Sequence, residues 1–157
     1  MVTHISRNRA EYKPNDDYYT PPEVFDRLGI AFDLDVCAPV GGIPWLPATR
    51  HYSLEDDGLT QPWNGRVWMN PPYSKPGPWI ERFIQHHNGI CLTQVSKSQG
   101  FRDLWQKVDG VVVPQESPLA QSKFVHGNGR KGIFMPVALF AYGEECVAAI
   151  AKFGRVR

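Results

Sequence analysis

The sequence predicts an α/β fold in a single domain, built on a mainly parallel sheet with an antiparallel hairpin at one edge. Three observations predict it. Short apolar runs of strand length alternate with helix-like runs through the middle of the chain, the pattern left by parallel strands and their crossover helices. The 157 residues suit one hydrophobic core. Late in the chain, Gly127-Asn128-Gly129 lies between Lys123–Val125 and Ile133–Phe134, a hairpin signal, and mixed sheets commonly carry such a strand at an edge.

The elements follow in order. Residues 1–15 carry His4, Arg7, Arg9 and Lys13 with no apolar run, and read as a flexible basic arm ahead of a domain over 16–157. The arm is either a plain disordered tail or a segment that orders on nucleic acid. Thr20-Pro21-Pro22-Glu23 reads as a helix start: Thr20 can cap, Pro21 fits the first helical position, and Glu23 can close a capping box. That helix should run to about Leu28 and stop at Gly29. Ile30–Cys37 reads as a buried strand running into the turn-rich Ala38–Gly42, and a short strand is expected near His51. Arg66–Met69 reads as a strand that must leave the sheet at Pro71-Pro72, because consecutive prolines cannot continue a ladder. A helix over Trp79–His87, a strand over Gly89–Gln94, a helix over Phe101–Val108 and a strand over Gly110–Pro114 come next. Val137–Ala141 is a further strand and Glu145–Phe153 a closing helix.

Charge and cysteine usage narrow the function classes. Seventeen basic residues against sixteen acidic ones leave a net charge of +1, so any nucleic-acid contact has to come from a local patch on a nearly neutral body. Cys37, Cys91 and Cys146 are odd in number, widely spaced and set in apolar stretches. That pattern predicts reduced thiols in a reducing, cytoplasmic compartment, not a disulfide framework. No CxxC occurs, and His51, His86, His87 and His126 lack ligand spacing, so no metal is expected. No apolar run is long enough to span a bilayer, and a soluble protein is expected.

Asn70-Pro71-Pro72-Tyr73 is the most informative motif. An exocyclic amine on a purine is a poor nucleophile, because its lone pair is delocalised into the ring. The Asn70 amide oxygen and the Pro71 carbonyl can each accept one N–H bond from such an amine. Together they draw the nitrogen toward tetrahedral geometry and aim its lone pair at a methyl donor, by positioning and preorganised electrostatics. The prolines, Pro72 included, hold the carbonyl rigidly, and Tyr73 offers a face on which an extruded base can stack. The alternative is a rigid turn after a strand.

Two acidic segments lie upstream of this motif. Asp33-Leu34-Asp35-Val36-Cys37-Ala38 puts Asp35 near the end of the first long strand, where ligands of doubly wound sheets bind. A carboxylate there can meet a cofactor's amino group or ribose; a polar strand end is the other reading. Gly41 and Gly42 come too late for a GxGxxG fingerprint. Asp56-Asp57-Gly58-Leu59 offers a second carboxylate for an adenine amino group, against the alternative of an Asp-Gly turn. Lys75, Lys97, Arg102, Lys123, Arg130 and Lys131 fall in predicted loops and helix starts near the sheet ends and are candidate phosphate contacts. Taken singly, each also reads as a solvated charge.

In sequence, Thr20-Pro21, Asp33–Ala38, Asp57-Gly58-Leu59, Trp63, Gly65, Trp68 and Asn70–Tyr73 together resemble the phage-type DNA N6-adenine methyltransferases, the Dam-like family, over residues 16–142. The resemblance implies a Rossmann-like methyltransferase sheet, S-adenosylmethionine as methyl donor, double-stranded DNA as substrate with the adenine flipped out, and a phage or prophage origin in a bacterial host. By position it assigns Asn70, Pro71, Pro72 and Tyr73 to catalysis, and Tyr19, Thr20, Pro21, Asp35, Cys37, Ala38, Asp57 and Gly58 to the methyl donor. The stretch from Lys123-Phe124 through Pro136–Phe140 is similar to the family's closing hairpin. Two departures stand out: Pro39–Thr49 is rich in Pro and Gly, so the residue holding the donor ribose is not marked, and there is no room for a large target-recognition domain. Sequence specificity is left to loops, the arm or a second copy of the chain in a homodimer. RNA adenine, a protein glutamine amide, or a non-catalytic DNA-binding role on the same fold are the alternatives. The glutamine version usually brings an extra N-terminal helical domain.

Overall fold

The computed structural model describes residues 18–115, 125–126 and 136–157. The chain opens with a two-residue strand, β1 (Tyr18–Tyr19), and helix α1 (Pro22–Leu28). It continues through β2 (Phe32–Asp35), β3 (Ala48–His51), β4 (Val67–Met69), α2 (Gly77–His86) and β5 (Gly89–Gln94). Then come α3 (Gln99–Lys107), β6 (Gly110–Val112), β7 (Val125–His126), β8 (Val137–Tyr142) and α4 (Glu144–Ile150), with a 3-10 turn over Ala151–Phe153.

Among the described residues the main sheet runs β3-β2-β4-β5-β8-β6. β3, β2, β4 and β5 pair in parallel. β8 is antiparallel to both its neighbours, β5 and β6. The mixed α/β sheet is thus mostly parallel with its antiparallel element at one end, carried by β8 one place in from the rim. The outer rim of β6 is covered by the chain end, where Val111 and Arg157 exchange backbone bonds of 2.9 and 3.1 Å. Of the expected late hairpin, Val125–His126 pairs antiparallel with Tyr18–Tyr19; its turn and its other arm lie outside the described residues, as does the arm over 1–15.

Period-two alternation sorts the strands onto two cores. Val137, Leu139 and Ala141 join Trp68, Ile90, Leu92 and the buried faces of α1 and α4. Ala138, Phe140 and Tyr142 join Val67, Met69, Cys91 and the buried faces of α2 and α3. Helices therefore cover both faces of the sheet, the arrangement the alternating elements predict.

The expected cap of α1 is not the one formed. Pro21 occupies the cap with extended backbone, Pro22 takes the first helical position, and no side chain caps the helix. Thr20 is fully buried and its hydroxyl meets the Asn70 side chain, fifty residues further along the chain. A tertiary contact has taken the group that the local pattern reserved for the helix. The C-terminus follows the pattern, with Gly29 in the left-handed conformation and its N–H on the Phe25 carbonyl.

Gly89 opens β5 with φ +138°, and a Cβ built there would lie 2.1 Å from the Val67 carbonyl oxygen of the neighbouring strand. Both the backbone angle and the close approach require glycine. Gly89→Ala is expected to lower the unfolding free energy by roughly 2–3 kcal/mol, read as a drop in the urea midpoint at unchanged slope; an unchanged midpoint would show that β4 and β5 do not meet in this register.

Candidate active site

The parallel strands deliver four chain segments to one edge of the sheet. β2 ends at Asp35, β3 at His51, β4 at Met69 and β5 at Gln94. The segments that leave these strands share the carboxyl side, where open α/β sheets bind ligands.

Asn70 comes directly after β4. Its Nδ2 donates to Thr20 Oγ1 at 3.4 Å, while its Oδ1 is buried with no hydrogen-bond partner among the described residues. An acceptor left in that state costs about 1–3 kcal/mol, so the position suits a ligand that brings an N–H. Pro71 is buried, and Pro72 and Tyr73 are half-buried. The Pro72 carbonyl accepts from the Lys75 N–H at 3.3 Å and closes the turn.

Asp35 is registered with Trp68 on β4, two residues before Asn70, and is 3% exposed. Burial holds its carboxyl up at about 7, against an ordinary 3.8, although the Cys37 N–H donating to Oδ1 at 3.3 Å pulls it down. Cys37 is half-buried and Ala38 buried beside it. Backbone bonds from the Tyr52 N–H to the Asp35 carbonyl and from the Ala38 N–H to the Tyr52 carbonyl, both 2.8 Å, tie the segment after β3 to the end of β2. That segment carries Asp57, 4% exposed, with φ +57°, a left-handed conformation that Asp tolerates better than most residues. Gly58 sits so close that a Cβ would lie 2.4 Å from the Val36 carbonyl oxygen, so only glycine brings this loop against the end of β2. The loop is pinned from α2. The Arg82 guanidinium donates to the carbonyls of Leu59 and Gln61 and lies 4.7 Å over the Trp63 ring. Trp63 stacks on Trp79 and donates its indole N–H to the Gly58 carbonyl at 2.8 Å.

On the other side of the tetrad, Tyr73 lines a pocket of about 210 Å³ together with Ile80, Thr93, Gln94, Ser96 and Phe101. Tyr73 is the tetrad's contribution to its wall; Asn70, Asp35 and Asp57 are not among its lining residues. The edge thus holds two buried acidic residues, Asp35 and Asp57, and an aromatic-walled pocket around Tyr73 and Phe101, with Asn70 at the end of the strand between β2 and β5.

The profile of the family described as DNA N-6-adenine-methyltransferase (Dam) matches residues 7–120. The chain belongs to that family. A DNA N-6-adenine-methyltransferase of Haemophilus phage HP1 (strain HP1c1) is 34% identical over 110 residues, covering 64% of this chain and 62% of the relative, so the match spans under two thirds of the relative's own length. No solved structure matches.

For this Dam-family chain, the structure brings most of the sequence-predicted site residues to one edge. Tyr19 is half-buried, with its ring 6.1 Å from that of Trp45, and Thr20 and Pro21 are buried. Lys75, Lys97 and Arg102 are exposed, and each neighbours a pocket-lining residue in sequence: Pro76, Ser96 and Phe101. Lys123, Arg130 and Lys131 lie outside the described residues. Sequence reasoning missed the pocket's second wall, Thr93 to Phe101, although the strand-end rule that marked Asp35 applies equally to Gln94. It also missed Arg82, which in sequence is an ordinary charge on an amphipathic helix. Among the described residues no group of three His, Cys, Asp or Glu is placed to hold a metal ion, and no helix is long and apolar enough to cross a membrane.

The buried Asp35 makes ligand-free stability depend on pH. Its folded-state value lies above the unfolded one, so between about pH 4 and 7 the unfolded chain binds fewer protons and stability falls as pH rises. Asp35→Asn is expected to unfold like the wild type at pH 4 and to be more stable by roughly 2–4 kcal/mol at pH 8. Urea titrations at several pH values would show it, and a pH-independent difference between the two would contradict it.

Proposed function

We propose that this chain transfers a methyl group from S-adenosylmethionine to the N6 amine of adenine in double-stranded DNA, with the target base turned out of the helix against Tyr73. One observation carries the reading. Asn70 Oδ1 is a buried acceptor with no partner among the described residues, in an Asn-Pro-Pro-Tyr turn at the carboxyl edge of the sheet. An adenine amine brings the missing N–H. The family membership and the phage relative's name support the same substrate.

The chain's own residues fit both ligands by chemistry. Asp35 at the end of β2 and Asp57 in the loop packed against that end are buried acidic side chains, suited to amino and hydroxyl groups of a nucleoside-bearing cofactor. S-adenosylmethionine, when bound, supplies a methyl group activated by its sulfonium sulfur. Asn70 and the Pro71 carbonyl orient the amine and draw its lone pair out of the ring, so no general base is needed before attack. Tyr73 and Phe101 wall a pocket into which a flipped base can enter. Lys75, Lys97 and Arg102 rim that side and suit the phosphates flanking the base.

The test is incubation with unmethylated duplex DNA and labelled S-adenosylmethionine, followed by mapping of N6-methyladenine by position. Label entering RNA or protein glutamine instead, or no transfer with DNA binding retained, would replace this reading. Asn70→Ala is expected to abolish transfer while methyl-donor affinity stays within a few-fold; full activity in that variant would remove Asn70 from its role. Tyr73→Ala is expected to lose more activity than Tyr73→Phe, because stacking needs the ring, and equal losses would point to the hydroxyl.

A further inference from the structure

The loop between β3 and β4 carries Asp57 with φ +57°, a backbone conformation that an aspartate adopts at some cost. Something has to hold it there. We infer that Arg82 of α2 does so and is thereby a positioning residue for the methyl donor: it keeps the loop over 57–61 against the end of β2, where Asp57 can meet the donor's nucleoside. The inference rests on the proposed methyl transfer.

Three features carry it. First, the loop's carbonyls are taken in turn. Gln61 Nε2 donates to the Asp56 carbonyl at 2.8 Å, the Thr60 N–H and hydroxyl donate to that of Asp57 at 2.9 Å, and the Trp63 indole N–H donates to that of Gly58 at 2.8 Å. The Arg82 guanidinium takes those of Leu59 and Gln61. The other donors belong to the loop and its own end and can travel with it; Arg82 ties it to a helix. A carbonyl only accepts and a guanidinium only donates, so these bonds have one polarity. Second, Trp79, Arg82 and His86 recur at helical spacing and form a stripe of α2 facing the loop. Trp79 stacks on Trp63, Arg82 lies 4.7 Å over the same ring, and His86 meets it edge-on at 5.8 Å with Nε2 on the Gly65 carbonyl at 2.7 Å. Third, the residue next to Asp57 is clasped between two elements. A Cβ at Gly58 would lie 2.4 Å from the Val36 carbonyl oxygen and 3.1 Å from the Trp79 ring. Charge alone predicts the opposite effect of Arg82. S-adenosylmethionine carries a net positive charge, so removing a nearby cation would strengthen its binding. A loss of affinity therefore reports position.

The experiment separates the two readings. Arg82→Met keeps much of the side-chain length and removes the guanidinium; Arg82→Lys keeps the charge without the planar fork. Calorimetry is run with S-adenosylmethionine and with S-adenosylhomocysteine, which lacks the sulfonium charge. Arg82→Met is expected to raise Kd at least about tenfold, by the same factor for both ligands. Arg82→Lys is expected to lose nearly as much, because one ammonium does not reproduce two donors fixed in a plane; wild-type affinity in that variant would overturn the inference. With donor saturating, kcat and KM for DNA are expected to stay within about threefold of wild type in Arg82→Met. Donor affinity, DNA affinity and kcat falling together would mean that Arg82 supports the fold alone, and would overturn it. Asp57→Asn removes the carboxylate and still tolerates left-handed backbone. On that background, weaker for the donor from the outset, adding Arg82→Met is expected to raise Kd by less than about threefold. Equal losses on the two backgrounds would show that Arg82 does not act through Asp57. A readout independent of the donor is hydrogen exchange of the Trp63 indole N–H by NMR in the ligand-free protein. It should be slow in wild type and fast in Arg82→Met, with the amides of β5 unchanged; an unchanged indole rate would equally overturn the inference. If the wild type binds neither ligand and transfers no methyl group to DNA, RNA or protein, the proposed function fails, while the indole exchange still decides whether Arg82 holds the loop.

Discussion

Two prolines set the geometry on which the site depends. β4 is only three residues long, paired on both sides, and the chain must turn out of the sheet immediately after Asn70 because neither Pro71 nor Pro72 has an N–H to continue a ladder. The turn is therefore placed by covalent chemistry and not by a loop's average. It leaves Asn70 at the rim with its backbone still in the register that sets Asp35 beside Trp68. A strand that ran on would carry residue 70 into the ladder, and one that ended earlier would detach it from Thr20.

The rest of the edge is held with comparable rigidity but by other means. The Asp57 loop comes against β2 only because residue 58 has no side chain to meet the Val36 carbonyl, and it stays there because Arg82 and Trp63 satisfy its carbonyls from α2 and from the loop's own end. Arg82 donates to two loop carbonyls while its charge lies over an indole face, an arrangement that uses both its planar fork and its cation–π attraction. Loops that carry function are commonly held this way on a rigid scaffold. Here the anchor is α2, the helix that also supplies Ile80 to the pocket wall.

Much of this is legible in the chain itself, for identifiable reasons. β5 can be read to the residue because it is a buried apolar run that opens at Gly89 and ends at a polar turn, and β8 to within one residue because its two faces are both apolar and both covered. The tetrad and Asp35 are readable because strand ends of parallel sheets are where such residues collect. Thr20 reads wrongly as a cap because capping is a local preference, and a hydrogen bond to a residue fifty positions away outweighs it. The pocket's second wall is not legible because it is assembled from the end of β5 and the start of α3, and neither segment carries a marked motif alone. Arg82 escapes notice because its role depends on a loop packed against it, which no periodicity reveals.

Departures from local good order occur both at the carboxyl edge and away from it: His87 after α2 takes left-handed backbone, and the Trp68 indole N–H is buried in the core without a partner among the described residues. Otherwise the strands alternate as they should, α1 ends in left-handed Gly29, and Ser98 caps α3 by accepting from the Phe101 N–H. At the carboxyl edge the structure holds a buried carboxyl that resists ionising, an aspartate in left-handed backbone, and an amide oxygen with no donor among the described residues. Each departure alone has an ordinary structural account. Together, on three segments of the same edge, each lowers the stability of the free protein. The carboxyl and the oxygen are also of a kind that a ligand relieves: a cation or hydroxyl for the one, an N–H for the other. Foldable sequences keep their levels consistent and break that consistency mainly where function requires it. The two breaks that a ligand relieves lie on adjacent strand ends, and that placement agrees with the motif that first marked the site.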